Sequence, residues 1–127
     1  MIAFVMIGTN NLKASSNFYD IVLNEIDMIK THVSDRYVGY AEKNNPEEIT
    51  LYLTKPYNKE IATSGNGTMI ALLAKSRKQV DSFHEVALQN GALNEGLPGL
   101  RPSNSSNYYA YIRDLSGNKI CAHSKIS

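Results

Sequence analysis

Cysteine, histidine, arginine and tyrosine are the side chains of this 127-residue chain with chemistry to offer. Cys121 is the single cysteine, and His123 follows two positions later. Residues two apart on a strand share a face but stand about 6–7 Å apart. A thiol–imidazole hydrogen bond needs about 3 Å, so the two are not a nucleophile and its base. Cys121 reads as a small apolar strand residue, with Lys119 as the cation on its face. His123 reads as a strand-end side chain able to reach a ligand. His84 falls on a helix near Asp81 and Glu85, at its surface, and His32 in a polar connection between strands. No two histidines have the i, i+4 spacing that puts two metal ligands on one helical turn.

Arg101 lies in a stretch from Gly96 to Asn107 rich in Pro, Ser and Gly, the composition of a binding loop. A guanidinium there can pair with a ligand carboxylate or phosphate, or form a surface ion pair. Arg113, beside Asp114, reads as structural. Eight tyrosines and no tryptophan are present, and Tyr37, Tyr40, Tyr52, Tyr108, Tyr109 and Tyr111 all fall on strand-like runs. Tyrosines on a curved sheet give apolar walls with a hydroxyl at the tip, which suits an aromatic or amphipathic ligand. They are also ordinary strand formers. Gly65-Asn66-Gly67 is no phosphate cradle, because no Lys-Ser or Lys-Thr follows and a strand comes next.

The elements that position these residues occur twice. Phe4 and Met69, Phe18 and Phe83, and Leu23 and Leu88 are each 65 positions apart (69−4, 83−18, 88−23), the signature of an internal repeat. Each half opens with a short apolar strand and a polar cap. In the second half, Ser76 and Gln79 form a capping box, Val80, Phe83 and Ala87 share a helical face, and Asn90-Gly91 can end the helix. Strand-like runs follow at 26–31, 36–42 and 48–54, and again at 92–95, 108–113 and 119–123. Between the last two runs, Asp114 can hold a tight turn by accepting from amides two residues on, with Gly117 at positive φ. The expected order is strand, helix, strand, strand, strand, twice. The modules span about 1–56 and 67–127, joined by a linker at about 57–66, in a single domain, since ~60 residues alone bury too little surface.

The formal charge of +1 and the lack of a basic stripe argue against nucleic acid or a membrane surface as partner. One cysteine excludes an internal disulfide framework. The apolar N-terminus reads as a strand and not a signal peptide, and no run reaches the ~20 apolar residues of a membrane span, so a cytoplasmic protein is expected.

This layout resembles the vicinal oxygen chelate superfamily, the glyoxalase and bleomycin-resistance group. The residues that carry the resemblance are Gly65-Asn66-Gly67-Thr68 leading into Ile70-Ala71, Ser76-Arg77 with Val80-Asp81 and Phe83-His84, Glu95-Gly96-Leu97-Pro98-Gly99-Leu100-Arg101-Pro102, and Tyr108-Tyr109-Ala110 through Arg113-Asp114 to Gly117-Asn118-Lys119-Ile120. The resemblance implies an α+β fold of two βαβββ modules whose mixed sheets curl around a cavity, with the helices on the outer face and a homodimer as the common assembly. It also implies that metal-dependent members hold a divalent ion through His, Glu or Gln on the first and last strands of each module. Carried over by position, those places are Phe4, Tyr52, Met69 and Cys121, none an ordinary ligand for such an ion. The expectation is therefore no metal and no cofactor at these positions, and a small-molecule binding or sequestering protein; a metal-dependent lyase, isomerase or dioxygenase is the alternative. Phe4, Tyr52, Met69, Cys121, Tyr40, Arg101 and His123 are the candidate ligand contacts. Whether the cavity forms within one chain or across a dimer stays open.

Overall fold

The computed structural model describes residues 1–125. The first module runs β1 (Val5–Gly8), α1 (Leu12–Asn24), β2 (Met28–Val33), β3 (Tyr37–Glu42) and β4 (Ile49–Thr54). The second runs β5 (Ile70–Leu73), α2 (Arg77–Gln89), β6 (Leu93–Leu100), β7 (Tyr108–Arg113) and β8 (Lys119–Ser124). Each module makes a four-stranded sheet, ordered β1-β4-β3-β2 and β5-β8-β7-β6. The β1–β4 and β5–β8 pairs are parallel and the other pairs antiparallel. The 65-residue offset holds from β1 to β5, from α1 to α2 and from the start of β2 to the start of β6 (70−5, 77−12, 93−28).

Both helices start at a side-chain cap. Asn11 accepts from the Ala14 amide at 3.0 Å, and Ser76 from the Gln79 amide at 3.1 Å. The Gln79 side chain returns to the Lys75 amide at 2.8 Å, one residue earlier than in a standard capping box. On α1, Ser15, Phe18, Tyr19, Val22 and Leu23 are buried, and on α2, Val80, Phe83, His84 and Ala87. These are the 3.6-period stripes of helices packed on one side, and they meet the helix-facing residues of both sheets in one hydrophobic core. Truncating a side chain such as Phe83, fully buried there, costs about 3–5 kcal/mol.

Among the described residues, hydrogen bonds join the modules at two places. Asp114, in the β7–β8 turn, accepts from the Ser116 and Asn118 amides at 2.9 and 2.8 Å, as its position in the sequence suggests. It also accepts from the Tyr19 hydroxyl of α1 at 2.6 Å and from Asn118 Nδ2 at 3.0 Å. Asn118 Nδ2 reaches on to the Gly8 carbonyl at 2.8 Å. At the other joint, Asp27 of the first module accepts from Lys75 Nζ and Gln79 Nε2 of the second.

Three readings of the sequence need correcting here. Strand β6 continues to Leu100, so the loop begins at Arg101 and not at Gly96. His84 is buried, 4% exposed, and bonds Asn94 Oδ1 at 2.9 Å, because the helical stripe that carries Phe83 also carries its neighbour inward. His32 sits within β2, stacked on Tyr37 at 5.2 Å, because β2 starts later and runs further than the sequence reading placed it.

Candidate functional site: the open faces of two sheets

Each sheet has one face against the helices and one facing away from them. In the first module, strand alternation sends Ile7, Val38, Tyr40, Leu51 and Leu53 into the core. Phe4, Met6, Tyr37, Gly39 and Tyr52 fall on the opposite face. Phe4 is 51% exposed and Met6 46%. The Phe4 and Tyr52 rings meet edge to face at 5.1 Å, and Tyr37 meets Tyr52 edge to face at 5.5 Å. Gly39 makes room for this cluster. A Cβ there would stand 2.9 Å from Ile49 Cδ1 and 3.3 Å from Tyr52 Cε1.

In the second module Ala110, Ile112, Ile120 and Ala122 face the core. Met69, Tyr109, Tyr111, Cys121 and His123 line the other face. Tyr109 stacks on His123 at 4.4 Å and on Tyr111 at 6.0 Å. The Arg101 guanidinium lies 5.0 Å over the Tyr111 ring, and Lys119 Nζ lies 5.5 Å over it.

The chemistry of these groups follows from burial. Cys121 is fully buried. Burial pushes its thiol up to about 11, against a smaller opposing pull from an Ala110 backbone hydrogen bond, Arg101 and Lys119, so it is a protonated thiol at neutral pH and not a nucleophile. Burial, with Lys125 next, lowers the His123 pKa, so the ring is neutral at pH 7. Its Nε2 is buried with no hydrogen-bond partner among the described residues. Arg101 donates to the carbonyls of Leu97 at 2.6 Å, Gly99 at 3.3 Å and Tyr109 at 2.9 Å. These bonds clamp the end of β6 to β7, so the guanidinium is engaged with backbone and is not held out for a ligand anion. Arg113 pairs with Glu95 and donates to the Gly117 carbonyl at 3.1 Å, the structural role its sequence position suggests.

Of the candidate contacts, Phe4 and Tyr52 share one open face, and Met69, Cys121 and His123 share the other. Tyr40 does not belong with them. It is fully buried on the helix side of β3, where its hydroxyl bonds Asp20 Oδ1 at 2.8 Å and the Ser16 carbonyl at 3.2 Å. The ring is one position out of phase with Tyr37 and Gly39, and burial above all raises its pKa. Tyr37, Tyr109 and Tyr111, which the sequence offers only as members of the group of strand tyrosines and not as candidate contacts, all lie on the open faces. The only signal was parity, since Tyr109 and Tyr111 are two apart and therefore on one face.

Register makes Tyr52 and Cys121 equivalent. Met6 pairs with Tyr52 and Ala71 with Cys121, and Met6 and Ala71 are one repeat apart (71−6=65). Phe4 and Met69 likewise stand just ahead of β1 and β5. The four residues thus occupy matching points on the two modules. They do not fit a hard or borderline divalent ion. Phe4 has no donor atom, Met69 offers only a thioether, Cys121 holds its proton, and Tyr52 carries a phenol. Among the described residues, no three of His, Cys, Asp and Glu cluster as metal ligands would. A cavity of about 460 Å³ lies between β1 and β5, lined by Val5, Met28, Met69 and Leu72 among others. Phe4, Tyr52 and Cys121 lie outside it.

No family model matches the chain, and no curated protein matches it. Solved structures do. A glyoxalase/bleomycin resistance protein from Albidiferax ferrireducens T118 is 35% identical with a TM-score of 0.84, and the alignment covers 96% of each chain. A glyoxalase/bleomycin resistance protein/dioxygenase family enzyme from Burkholderia phytofirmans PsJN is 18% identical, with a TM-score of 0.74 over 98% of each chain. A glyoxalase-related enzyme from Fulvimarina pelagi is 16% identical, with a TM-score of 0.74 over 98% of this chain and 87% of the other. These two show the shared fold. With an identity above one third over nearly the whole length of both proteins, the chain belongs to the glyoxalase/bleomycin resistance family of the vicinal oxygen chelate superfamily.

Proposed function

We propose that this protein binds or sequesters a small aromatic or amphipathic molecule on the open faces of its sheets, without a metal at the four equivalent positions. The observation that supports the reading most is the identity of those positions: an edge-to-face Phe4–Tyr52 pair and a Met69–Cys121 set with no ionised donor. Aromatic walls with few polar groups are the usual lining of a small-molecule site. Tyr37, Tyr109, Tyr111 and His123 extend the wall with flat surfaces for stacking. His123 Nε2, without a hydrogen-bond partner among the described residues, gives one polar point to orient a ligand.

The reading includes a homodimer. Strand β1 pairs only with β4 and β5 only with β8 among the described residues, so each sheet ends in an unpaired edge of the kind that a second chain can extend. The apolar side chains exposed beside those edges, Phe4, Met6, Met69 and Leu73, would gain from being covered, at about 25 cal/mol per Å². A second copy laid along the edges would turn two open faces into a walled cavity. No helix among the described residues is long and apolar enough to cross a membrane.

Two measurements test this function. Elemental mass spectrometry of protein purified without chelators or a metal-binding tag should find no stoichiometric metal. A thermal-shift screen of aromatic small molecules should give hits that Tyr52→Ala weakens. Near-stoichiometric nickel, zinc, iron or manganese would overturn the reading, and so would hits indifferent to Tyr52→Ala. The pair Met69→His with Cys121→Glu should create divalent-metal binding if the four positions keep the ligand geometry of the metal-dependent relatives.

A further inference from the structure

On the helix side of the first sheet lies a second concavity of about 560 Å³, between the start of α1 and strands β2 and β3. It is separate from the open faces. Val38, which lines it, points away from the Phe4–Tyr52 cluster and into the core. Its lining includes Lys13, Lys30 and Lys55, with Asn11, Asn17 and Ser34, and no Asp or Glu. In a chain whose formal charge is only +1, three cations without a lining carboxylate make a local excess of positive charge. Lys30 is fixed in place by Asp20 at 2.9 Å and Ser16 Oγ at 3.3 Å, which offsets its charge. Lys13 and Lys55 are exposed and have no ion-pair partner among the described residues.

Lys13 also stands in the first turn of α1, which carries no acidic residue. A cation there faces the positive end of the helix dipole, an unfavourable arrangement that a bound anion would reverse. The volume falls within the roughly 300–1,000 Å³ of ordinary ligand sites, so there is room for an organic body as well as an anionic group. Asparagine amides and the Ser34 hydroxyl supply neutral hydrogen bonds, and Leu12, Val33 and Val38 supply an apolar wall. Lysine ammonium groups act as point charges toward phosphate.

We propose that this concavity is a binding site for a small organic molecule carrying a phosphate group. Lys13 and Lys55 contact the dianion, Lys30 borders it, and Asn17 and Ser34 contact the organic part. The site does not depend on what the open faces bind.

Glycerol 3-phosphate is the probe, with glycerol as its uncharged control, titrated at low salt into ¹⁵N-labelled protein and followed by amide shifts and calorimetry. Saturable shifts at Asn11, Asn17 and Ser34 are expected with the phosphate and not with glycerol. Added chloride should weaken them, as screening requires. Lys13→Ala with Lys55→Ala should lower the affinity at least about tenfold, whereas Tyr52→Ala should leave it unchanged. Both lysines are exposed, so the double variant should fold, which circular dichroism checks. Three results would overturn the proposal: no saturation by about 10 mM, equal affinity in the double variant, or shifts centred on Tyr52 or His123.

Discussion

Asp114 joins the two modules from inside the fold, bonding Tyr19 of α1 from the buried β7–β8 turn, and Asp114→Asn tests whether that joint holds the fold. The carboxylate is 6% exposed and accepts four hydrogen bonds. An asparagine of the same shape can keep one oxygen on the Ser116 and Asn118 amides. Its new amide then faces the Tyr19 hydroxyl and Asn118 Nδ2. The hydroxyl can turn and accept, but Asn118 Nδ2 is left donor to donor at the former 3.0 Å contact. The substitution thus leaves one buried donor unsatisfied and strips the remaining bonds of charge assistance, at about 2–4 kcal/mol together. That is a large share of the ~5–15 kcal/mol of a typical domain. At about 2.1 cal/mol/K per residue over 127 residues, it lowers Tm by roughly 7–15 °C.

Urea denaturation read by circular dichroism measures this loss. Tyr19→Phe removes one donor and leaves the carboxylate three, so it should cost only about 1–1.5 kcal/mol. The two changes touch one hydrogen bond, and a double-mutant cycle should show coupling of about 1 kcal/mol or more. If Asp114→Asn shifts stability by less than about 0.5 kcal/mol, or the cycle is additive, the Asp114–Tyr19 joint does not hold the modules together and the reasoning is wrong.

Cys121 should alkylate with iodoacetamide at pH 8 roughly a hundredfold more slowly in the folded protein than in urea, since a thiol at about 11 against an ordinary value of 9.0 has that much less thiolate; equal rates would mean the thiol is not buried. The same shift makes the folded pKa the higher one, so this contribution to stability is intact below about pH 9 and lost between about 9 and 11, which urea melts across that range will show. Gly39→Ala should cost about 1–2 kcal/mol, because the added Cβ meets Ile49 at 2.9 Å and Tyr52 at 3.3 Å, and it should weaken aromatic hits from the thermal-shift screen by turning the Tyr52 ring; a neutral effect on both would mean that the Phe4–Tyr52 cluster tolerates rearrangement.

The parts of the fold that could be read from the sequence are those set by local chemistry. The β7–β8 turn needed an acceptor at Asp114 and positive φ at Gly117, and both are present, the latter at φ 87°. The α2 cap and stripe needed only Ser76, Gln79 and 3.6 periodicity. The 65-residue repeat survives because both modules bury the same helical positions: Phe18 and Phe83, and also Tyr19 and His84 (84−19=65). His84 was misread because a titratable side chain looks like a surface residue when its partner, Asn94, lies on another element.

Strand β6 was hidden for a similar reason. Gly96, Pro98 and Gly99 look like a loop, yet glycine within a strand also marks a close approach by another group. A Cβ at Gly96 would stand 2.7 Å from Tyr111 Cδ2 and 3.4 Å from the Arg101 guanidinium. The glycine is there so that the tyrosine and the arginine can lie across the strand. Arg101 drew notice as an anion binder by its residue type, and only the three carbonyls within its reach show that its donors are spent on backbone.

Tyr40 and Tyr52 show where sequence parity stops informing about a site. In Tyr37-Val38-Gly39-Tyr40-Ala41 both alternating sets are uncharged, so neither face announces itself as the core. Asp20 and Ser16 decide it, by offering the Tyr40 hydroxyl partners on α1. The equivalence of Tyr52 and Cys121 is hidden in another way. They are 69 positions apart (121−52), and not 65, because the loops between strands differ in length and the β3–β4 register shifts between Tyr40 and Ala41. Only the parallel pairing of β1 with β4 and of β5 with β8 places them at matching points. That pairing makes the four residues one coherent test: substitutions at one module's pair should have counterparts in the other's if a single ligand is enclosed by both.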